Sequence, residues 1–169
     1  MQRRASYLLF ALLVVGLVGC DHATKHLAQS ELRGRPPKPL ITNVLELRYT
    51  ENRDVGFSLL RRVPETVRKP LIFAFGAAGL SFLGLLWWRR RQAPWQEHAA
   101  YAVLLSGALG NLTDRLARGY VVDFVYLHHW PVFNAADVYL VAGVGLVWLA
   151  SRTRAAPALA PAKLPSANS

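Results

Sequence analysis

Eighteen consecutive residues, Leu71 to Trp88, carry no charge and lie between Lys69-Pro70 and Arg89-Arg90-Arg91. A helix needs ~18–20 such residues to cross a hydrocarbon core of ~30 Å. Three shorter uncharged runs accompany it: Tyr7 to Cys20, Ala99 to Leu112 and Val138 to Ala150. Each continues at one end into polar residues that the same helix would carry. These are Asp21 and Lys25 after the first run, Asn111, Asp114 and Arg115 at the end of the third, and Asn134 and Asp137 before the fourth. If four helices cross in alternation, the three polar ends fall on one side of the membrane. The basic flanks Arg3/Arg4, Arg89–Arg91 and Arg152/Arg154 all fall on the other. A soluble helical fold predicts neither coincidence. Cations collect on the cytoplasmic side of membrane spans, which puts both chain termini in the cytoplasm and the polar ends outside.

The remaining polar stretch, residues 29–69, holds nine of the twenty Lys/Arg together with five acids. Most of the other cations flank the apolar runs, so the net charge of +10 describes orientation rather than an acidic partner. No nucleic-acid motif is present, and no nucleic-acid partner is expected. Hydrophobic residues make up 53% and charged residues 18% of the chain, against ~45–50% and ~25% in soluble domains. The segment Ile41–Thr50 alternates, with Val44, Glu46 and Arg48 on one face and Leu45, Leu47 and Tyr49 on the other. That pattern, bounded by a Pro36-Pro37-Lys38-Pro39 linker, predicts a strand, with Phe57, Leu59 and Leu60 supplying a second.

The expected architecture is an all-α membrane bundle of four transmembrane helices near 7–27, 70–88, 97–115 and 134–152. A small extracytoplasmic β-sheet subdomain, near 29–66, sits between helices 1 and 2. One domain covers 1–155, and 156–169 reads as a disordered cytoplasmic tail.

Ionisable side chains in membrane helices cost ~2.5–3.5 kcal/mol each on insertion scales and are functional candidates by default. Asp21 has Lys25 at i+4; Asp114 has Arg118 at i+4, Arg115 beside it and Asn111 at i−3. Both read as ion-paired struts. Asp123, in Tyr-Val-Val-Asp-Phe-Val-Tyr-Leu, and Asp137, in Phe-Asn-Ala-Ala-Asp-Val-Tyr-Leu, have apolar neighbours. Burial there opposes ionisation. Two such carboxyls brought together share a proton, as in aspartic proteases, with Asn111 and Asn134 available to orient them. One Cys and one Met exclude a disulfide framework and a Cys-rich metal site. Cys20 reads as a small buried residue and His128-His129 as a solvated loop, with Tyr126 and Trp130 at the depth aromatic residues favour. Two other readings stand beside a proton-sharing carboxyl pair. Leu17-Val18-Gly19-Cys20 resembles a lipobox, which would make residues 1–25 a lipoprotein signal peptide. Intramembrane aspartates also serve proton relays in transporters, although no internal repeat is visible.

Three motifs carry a resemblance to bacterial lipoprotein signal peptidase, the signal peptidase II family of aspartic peptidases. Asp21-His22-Ala23-Thr24-Lys25 resembles its D-x-x-T-K element. Gly110-Asn111-Leu112-Thr113-Asp114-Arg115 with Gly119-Tyr120-Val121-Val122-Asp123-Phe124 resembles its G-N-x-x-D-R-x-x-x-G-x-V-x-D-F block, and Phe133-Asn134-Ala135-Ala136-Asp137 its F-N-x-A-D block. Asn52 matches the Asn of a further motif, N-x-G-x-A-F, where this chain has Asp54 in place of the usual Gly. The resemblance implies removal of signal peptides from diacylglyceryl-modified prolipoproteins by cleavage before the lipidated cysteine. It implies Asp123 and Asp137 as the catalytic pair, with Asn52, Asn111, Arg115, Asn134, Asp21, Lys25 and Asp114 binding substrate or supporting the site. No metal, cofactor or covalent intermediate is expected. The partners expected are prolipoproteins and membrane lipids. The enzyme would be a monomer in the bacterial inner membrane, with its active site near the periplasmic face.

Overall fold

A computed structural model describes residues 2–53 and 63–155. Asp54, the strand expected at Phe57, Leu59 and Leu60, and the 156–169 tail lie outside the described residues. The described elements are α1 (Gln2–Leu32), β1 (Lys38–Ile41), β2 (Leu45–Asn52), α2 (Glu65–Arg89), α3 (Trp95–Arg118), β3 (Val121–Leu127) and α4 (Ala135–Ala155). The first helix is longer than its apolar run. Its last turns carry Asp21 and Lys25 and continue to Leu32, so residues 29–32 belong to the helix and not to the sheet.

The expected strand over Ile41–Thr50 is instead a hairpin. A turn closes with Val44 N–H donating to the Ile41 carbonyl at 3.0 Å, and Asn43 takes a φ of 61°. Asn tolerates the left-handed region because its short polar side chain bonds locally. Lys38 and Pro39 lie in β1 rather than in a linker. A strand on the sheet edge accommodates a proline that cannot donate to the ladder. The third strand comes from between α3 and α4, so the sheet is not confined to the connection between the first two helices. Its order is β1-β2-β3, antiparallel throughout, and Thr50 faces Asp123 across the β2–β3 ladder. Gly119, at φ 77°, ends α3 with its N–H on the Arg115 carbonyl and turns the chain into β3.

Three helical segments are long and apolar enough to cross a membrane: Ala5–Leu32, Thr66–Arg89 and Ala135–Arg152. Their outward faces carry Leu12, Val15, Phe75, Phe82, Val141 and Trp148, all well exposed, as a lipid-covered surface would. Cys20 is also exposed on α1, contrary to the buried position expected for it. A small apolar thiol on a lipid-facing surface meets no penalty that would force it inward. The protein is therefore a mostly helical membrane protein with a small three-stranded sheet. The remaining helix, α3, is 24 residues long and more polar, and it packs against α1, α2 and α4. Enclosed by protein, it buries Glu97, His98, Ser106, Asn111 and Asp114.

Glycines set how closely α3 and α4 approach. A Cβ on Gly143 would lie 2.6 Å from the Leu104 Cα, and one on Gly107 would strike the Ala136 carbonyl and the Leu140 backbone nitrogen. Small residues let membrane helices pack backbone to backbone. Gly143→Ala should lower stability by about 1–3 kcal/mol through overpacking, read as a reduced thermal midpoint in detergent. Gly145→Ala, where an added Cβ meets nothing within 4 Å, should leave that midpoint unchanged.

Candidate active site

Lys25 is fully buried, and its ammonium is the centre from which the site is built. Its Nζ lies 2.7 Å from Asp21 Oδ2, one turn earlier on α1, and 2.9 Å from Asp114 Oδ2 on α3. It also donates to Asn111 Oδ1 at 3.1 Å. Asp114 thus makes its shortest ion pair across helices; Arg118, the partner expected from i+4 spacing, is at 3.6 Å. The other Asp21 oxygen accepts the Ala136 backbone N–H at 3.0 Å, at the first turn of α4. A carboxylate is favoured there because the first N–H groups of a helix lack intrahelical partners. Gly110 permits this crossing, since a Cβ there would collide with the Asp21 carboxylate.

From Asn111 the network reaches two further carboxylates. Asn111 Nδ2 donates to Asp137 Oδ1 at 2.8 Å, and Asn134 Nδ2 reaches both Asn111 Oδ1 at 3.2 Å and Asp123 Oδ1 at 2.6 Å. The second Asp137 oxygen accepts the Asn134 backbone N–H at 3.1 Å, while the Asp137 N–H donates to Asn134 Oδ1 at 3.1 Å. This reciprocal pair caps the start of α4. Asn52, at the end of β2, donates to Asp123 Oδ2 at 2.9 Å. Asp123 and Asp137 therefore come from a strand and a helix, and two asparagines join them. Arg115 Nη1 donates to the Asn111 carbonyl at 3.1 Å, and its charge acts on Asp123, Asp137 and Asp114. All nine residues expected at the site from sequence lie within this network.

The two carboxylates differ in exposure. Asp123 is buried at 2% exposure, whereas Asp137 is only partly buried. Burial pushes the Asp123 carboxyl up to about 6, helped by the nearby charge of Asp137 and opposed by the hydrogen bonds from Asn52 and Asn134 and by Lys25. Beside Asp137 opens an apolar cleft of about 350 Å³ between α2, α3 and α4. Gly76, Gly79 and Leu83 line its far wall, and Asn111, Arg115 and Asp137 form its polar end. Sequence reasoning did not anticipate Gly76 and Gly79 as cleft residues; their three-residue spacing in an apolar helix was the available signal. The bond from Ala136 to Asp21 joins α1 to α4, 115 residues apart in the chain, and left no trace in local pattern. Chemically, the arrangement holds two carboxyl groups joined by side-chain amides, one of which, Asp137, lines the apolar cleft.

The chain that carries this site is similar in sequence and fold to known proteins. The sequence model of the Signal peptidase (SPase) II family matches residues 13–153. The lipoprotein signal peptidase of Syntrophotalea carbinolica is 33% identical over 155 residues, covering 88% of this chain and 94% of that protein. The lipoprotein signal peptidase of Teredinibacter turnerae is 38% identical over 144 residues, covering 82% of each. Among solved structures, a bacterial membrane enzyme has the same fold, with a TM-score of 0.73 at 24% identity over 88% of this chain and 90% of that one. A family match over most of the chain, with relatives above 30% identity along nearly their whole length, leads to one conclusion: the chain belongs to the signal peptidase II family.

Proposed function

We propose that this enzyme is an aspartic endopeptidase that removes signal peptides from diacylglyceryl-modified prolipoproteins, cleaving before the lipidated cysteine. The observation that carries this reading is the pairing of Asp123 and Asp137 through Asn111 and Asn134, with Asp137 at the polar end of an apolar cleft. An apolar signal helix suits the Gly76–Gly79 wall, and its scissile bond would reach the carboxylates where water enters. Acyl chains on the substrate stay in lipid alongside.

In this mechanism one carboxylate of the pair takes a proton from water as general base. The resulting hydroxide attacks the scissile carbonyl carbon while the protonated partner polarises the carbonyl oxygen. The C–N bond then breaks, and the departing amine nitrogen receives a proton from the pair. Asn111, Asn134 and Asn52 keep the carboxylates in register, and Arg115 steadies the negative charge that passes between them. Lys25, Asp21 and Asp114 support the asparagines from beneath. The scheme uses no metal, cofactor or covalent intermediate.

The membrane setting follows the same logic. A 24-residue α3 is roughly 36 Å long, enough for a fourth span whose polar residues are sheltered by α1, α2 and α4. Four spans put Arg89–Arg91 and Arg152 at the cytoplasmic face of the inner membrane, both termini in the cytoplasm, and the sheet with the carboxylate pair at the periplasmic face. Residues 1–155 form one domain that acts as a monomer among membrane lipids, and 156–169 is a cytoplasmic tail.

Purified enzyme given a diacylglyceryl-modified prolipoprotein should release the signal peptide, seen as a mobility shift and by mass. Asp123→Asn and Asp137→Asn should each slow cleavage by roughly 10²–10⁴-fold with the thermal midpoint largely retained; full activity in either rejects the assigned pair. A second outcome concerns pH. A carboxyl raised from 3.8 to about 6 by burial favours folding below its unfolded value and loses that contribution as pH rises through the folded value. Asp123→Asn lacks this loss. Its thermal midpoint relative to wild type should therefore improve steadily between about pH 4 and 6 and level off above, which melting curves across that range will show.

A further inference from the structure

The β1–β2 turn and the end of β3 meet at one tip of the sheet. Leu45 pairs with Leu127 across the β2–β3 ladder, and the His128 N–H donates to the Val44 carbonyl at 2.9 Å. Just beyond, the Trp130 N–H donates to the Leu127 carbonyl at 2.9 Å, and His129 takes a φ of 66° in that turn. Large apolar side chains stand out from this tip: Leu40, Ile41, Val44, Leu127 and Trp130 are between 39% and 61% exposed. No Lys, Arg, Asp or Glu occurs in residues 40–45 or 127–133, although charge resumes on either side of the turn at Lys38 and Glu46. A turn that faces water is normally polar, and a cluster of exposed apolar side chains marks contact with something apolar. Residues 54–62 run from Arg53 back to α2, whose Arg68 and Lys69 line a cleft together with Arg53. Ten peptide links reach about 17 Å out and back, whereas Leu45 lies seven strand positions from Asn52, about 24 Å away.

We propose that this tip inserts into the headgroup–acyl boundary of the outer leaflet and anchors the sheet there, so that the partner it fits is a lipid surface. The proposal rests on the membrane setting given above and not on the peptidase chemistry. Continuity with the lipid-facing helices supports it. The exposed face of α1 that carries Leu12 and Val15 resumes at Leu27, which shares a cleft with Pro36, Pro37 and Pro39. Pro39 also lines the adjoining cleft, together with Ile41 and Val44. The apolar surface thus leads from the α1 span along β1 to the tip. Asp21 and Lys25 do not interrupt it, because both are buried on the protein side of the helix. Leu27 lies seven residues, about 10 Å of helix, beyond Cys20, where the uncharged run ends. That is close to headgroup depth, and tryptophan, exposed here at position 130, is enriched at that level. The same β2–β3 ladder brings Asn52 to Asp123 at its other end. A lipid anchor at the tip would therefore set the height of the sheet over the carboxylate pair.

The test uses the full-length chain in phospholipid nanodiscs, with its single cysteine replaced by Cys20→Ala and a nitroxide attached at Val44→Cys. Electron paramagnetic resonance saturation compares collisions with oxygen, which concentrates in lipid, against collisions with a water-soluble nickel chelate. Val15→Cys, on the exposed face of α1, is the lipid reference, and Arg33→Cys, an exposed ion-paired position after α1, is the water reference. The oxygen-to-nickel ratio at Val44→Cys should lie several-fold above that at Arg33→Cys and approach that at Val15→Cys. If Val44→Cys does not fold, Leu40→Cys takes its place with the same expectation. A ratio at the tip equal to that at Arg33→Cys puts the tip in water and overturns the proposal. Shielding from both reagents means that protein covers the tip, a second copy or another chain, and overturns it as well. A water-like Val15→Cys would reject the membrane setting and the anchor together, whereas a lipid-like Val15→Cys beside a water-like tip rejects the anchor alone. The ratio is read without turnover, so loss of peptidase activity remains a separate result.

Discussion

One ammonium group, buried without access to water, determines how the helices of this protein meet. Lys25 sits between Asp21 and Asp114 and reaches Asn111, so α1 and α3 cannot separate without stranding charge. Removing one partner of a buried ion pair typically costs ~3–5 kcal/mol because the others are left uncompensated. The cluster is one positive against two negative charges, and the excess is met by α4: Ala136 donates its backbone N–H to Asp21. His22 Nδ1 at 3.7 Å and Arg118 Nη1 at 3.6 Å flank the remaining Asp114 oxygen. Three helices therefore depend on a single interaction centre.

The same centre sets the chemistry above it. A side-chain amide has one acceptor end and one donor end. With Lys25 and Asn134 both donating to Asn111 Oδ1, its Nδ2 has to face Asp137. Asn134 is then held by Asn111 on one side and by Asp123 and Asp137 on the other. Sheet pairing adds the last constraint, because β2 running beside β3 brings Asn52 to Asp123. Carboxylates from a strand and a helix, far apart in the chain, are thus fixed by a chain of amides that ends at one lysine. Glycines at positions 107, 110 and 143 make the closeness possible by leaving room for backbone and carboxylate.

Much of this was legible from local pattern. The uncharged run Leu71–Trp88 announced α2, and the polar ends of the other runs announced where the site would gather. Asp123 and Asp137 stood out because neither had a cation within a helical turn. What local pattern concealed was tertiary. Asp114 has Arg118 nearby in sequence, yet packing gives it to Lys25, 89 positions away. The seven residues of β3 are apolar enough to be a short strand or part of a buried helix, and periodicity does not separate those at that length. The turn at Asn43 was hidden inside an apparently continuous alternation, since one left-handed residue suffices to reverse the chain. Exposure of Cys20 reversed a rule that holds for water-soluble cores and fails where lipid is the solvent.

The central claim is that the buried ammonium holds both the helices and the amides that join Asp123 to Asp137. Lys25→Met keeps most of the length and apolar bulk of the side chain and removes the ammonium, with both its charge and its N–H donors. Thermal melting and single-turnover cleavage of a lipidated prolipoprotein, measured on the same purified sample, test it most directly. The account predicts a lower thermal midpoint together with a loss of about 10²-fold in the cleavage rate of the folded protein, as expected when reacting groups shift by an ångström. Wild-type melting and wild-type cleavage in Lys25→Met would contradict it.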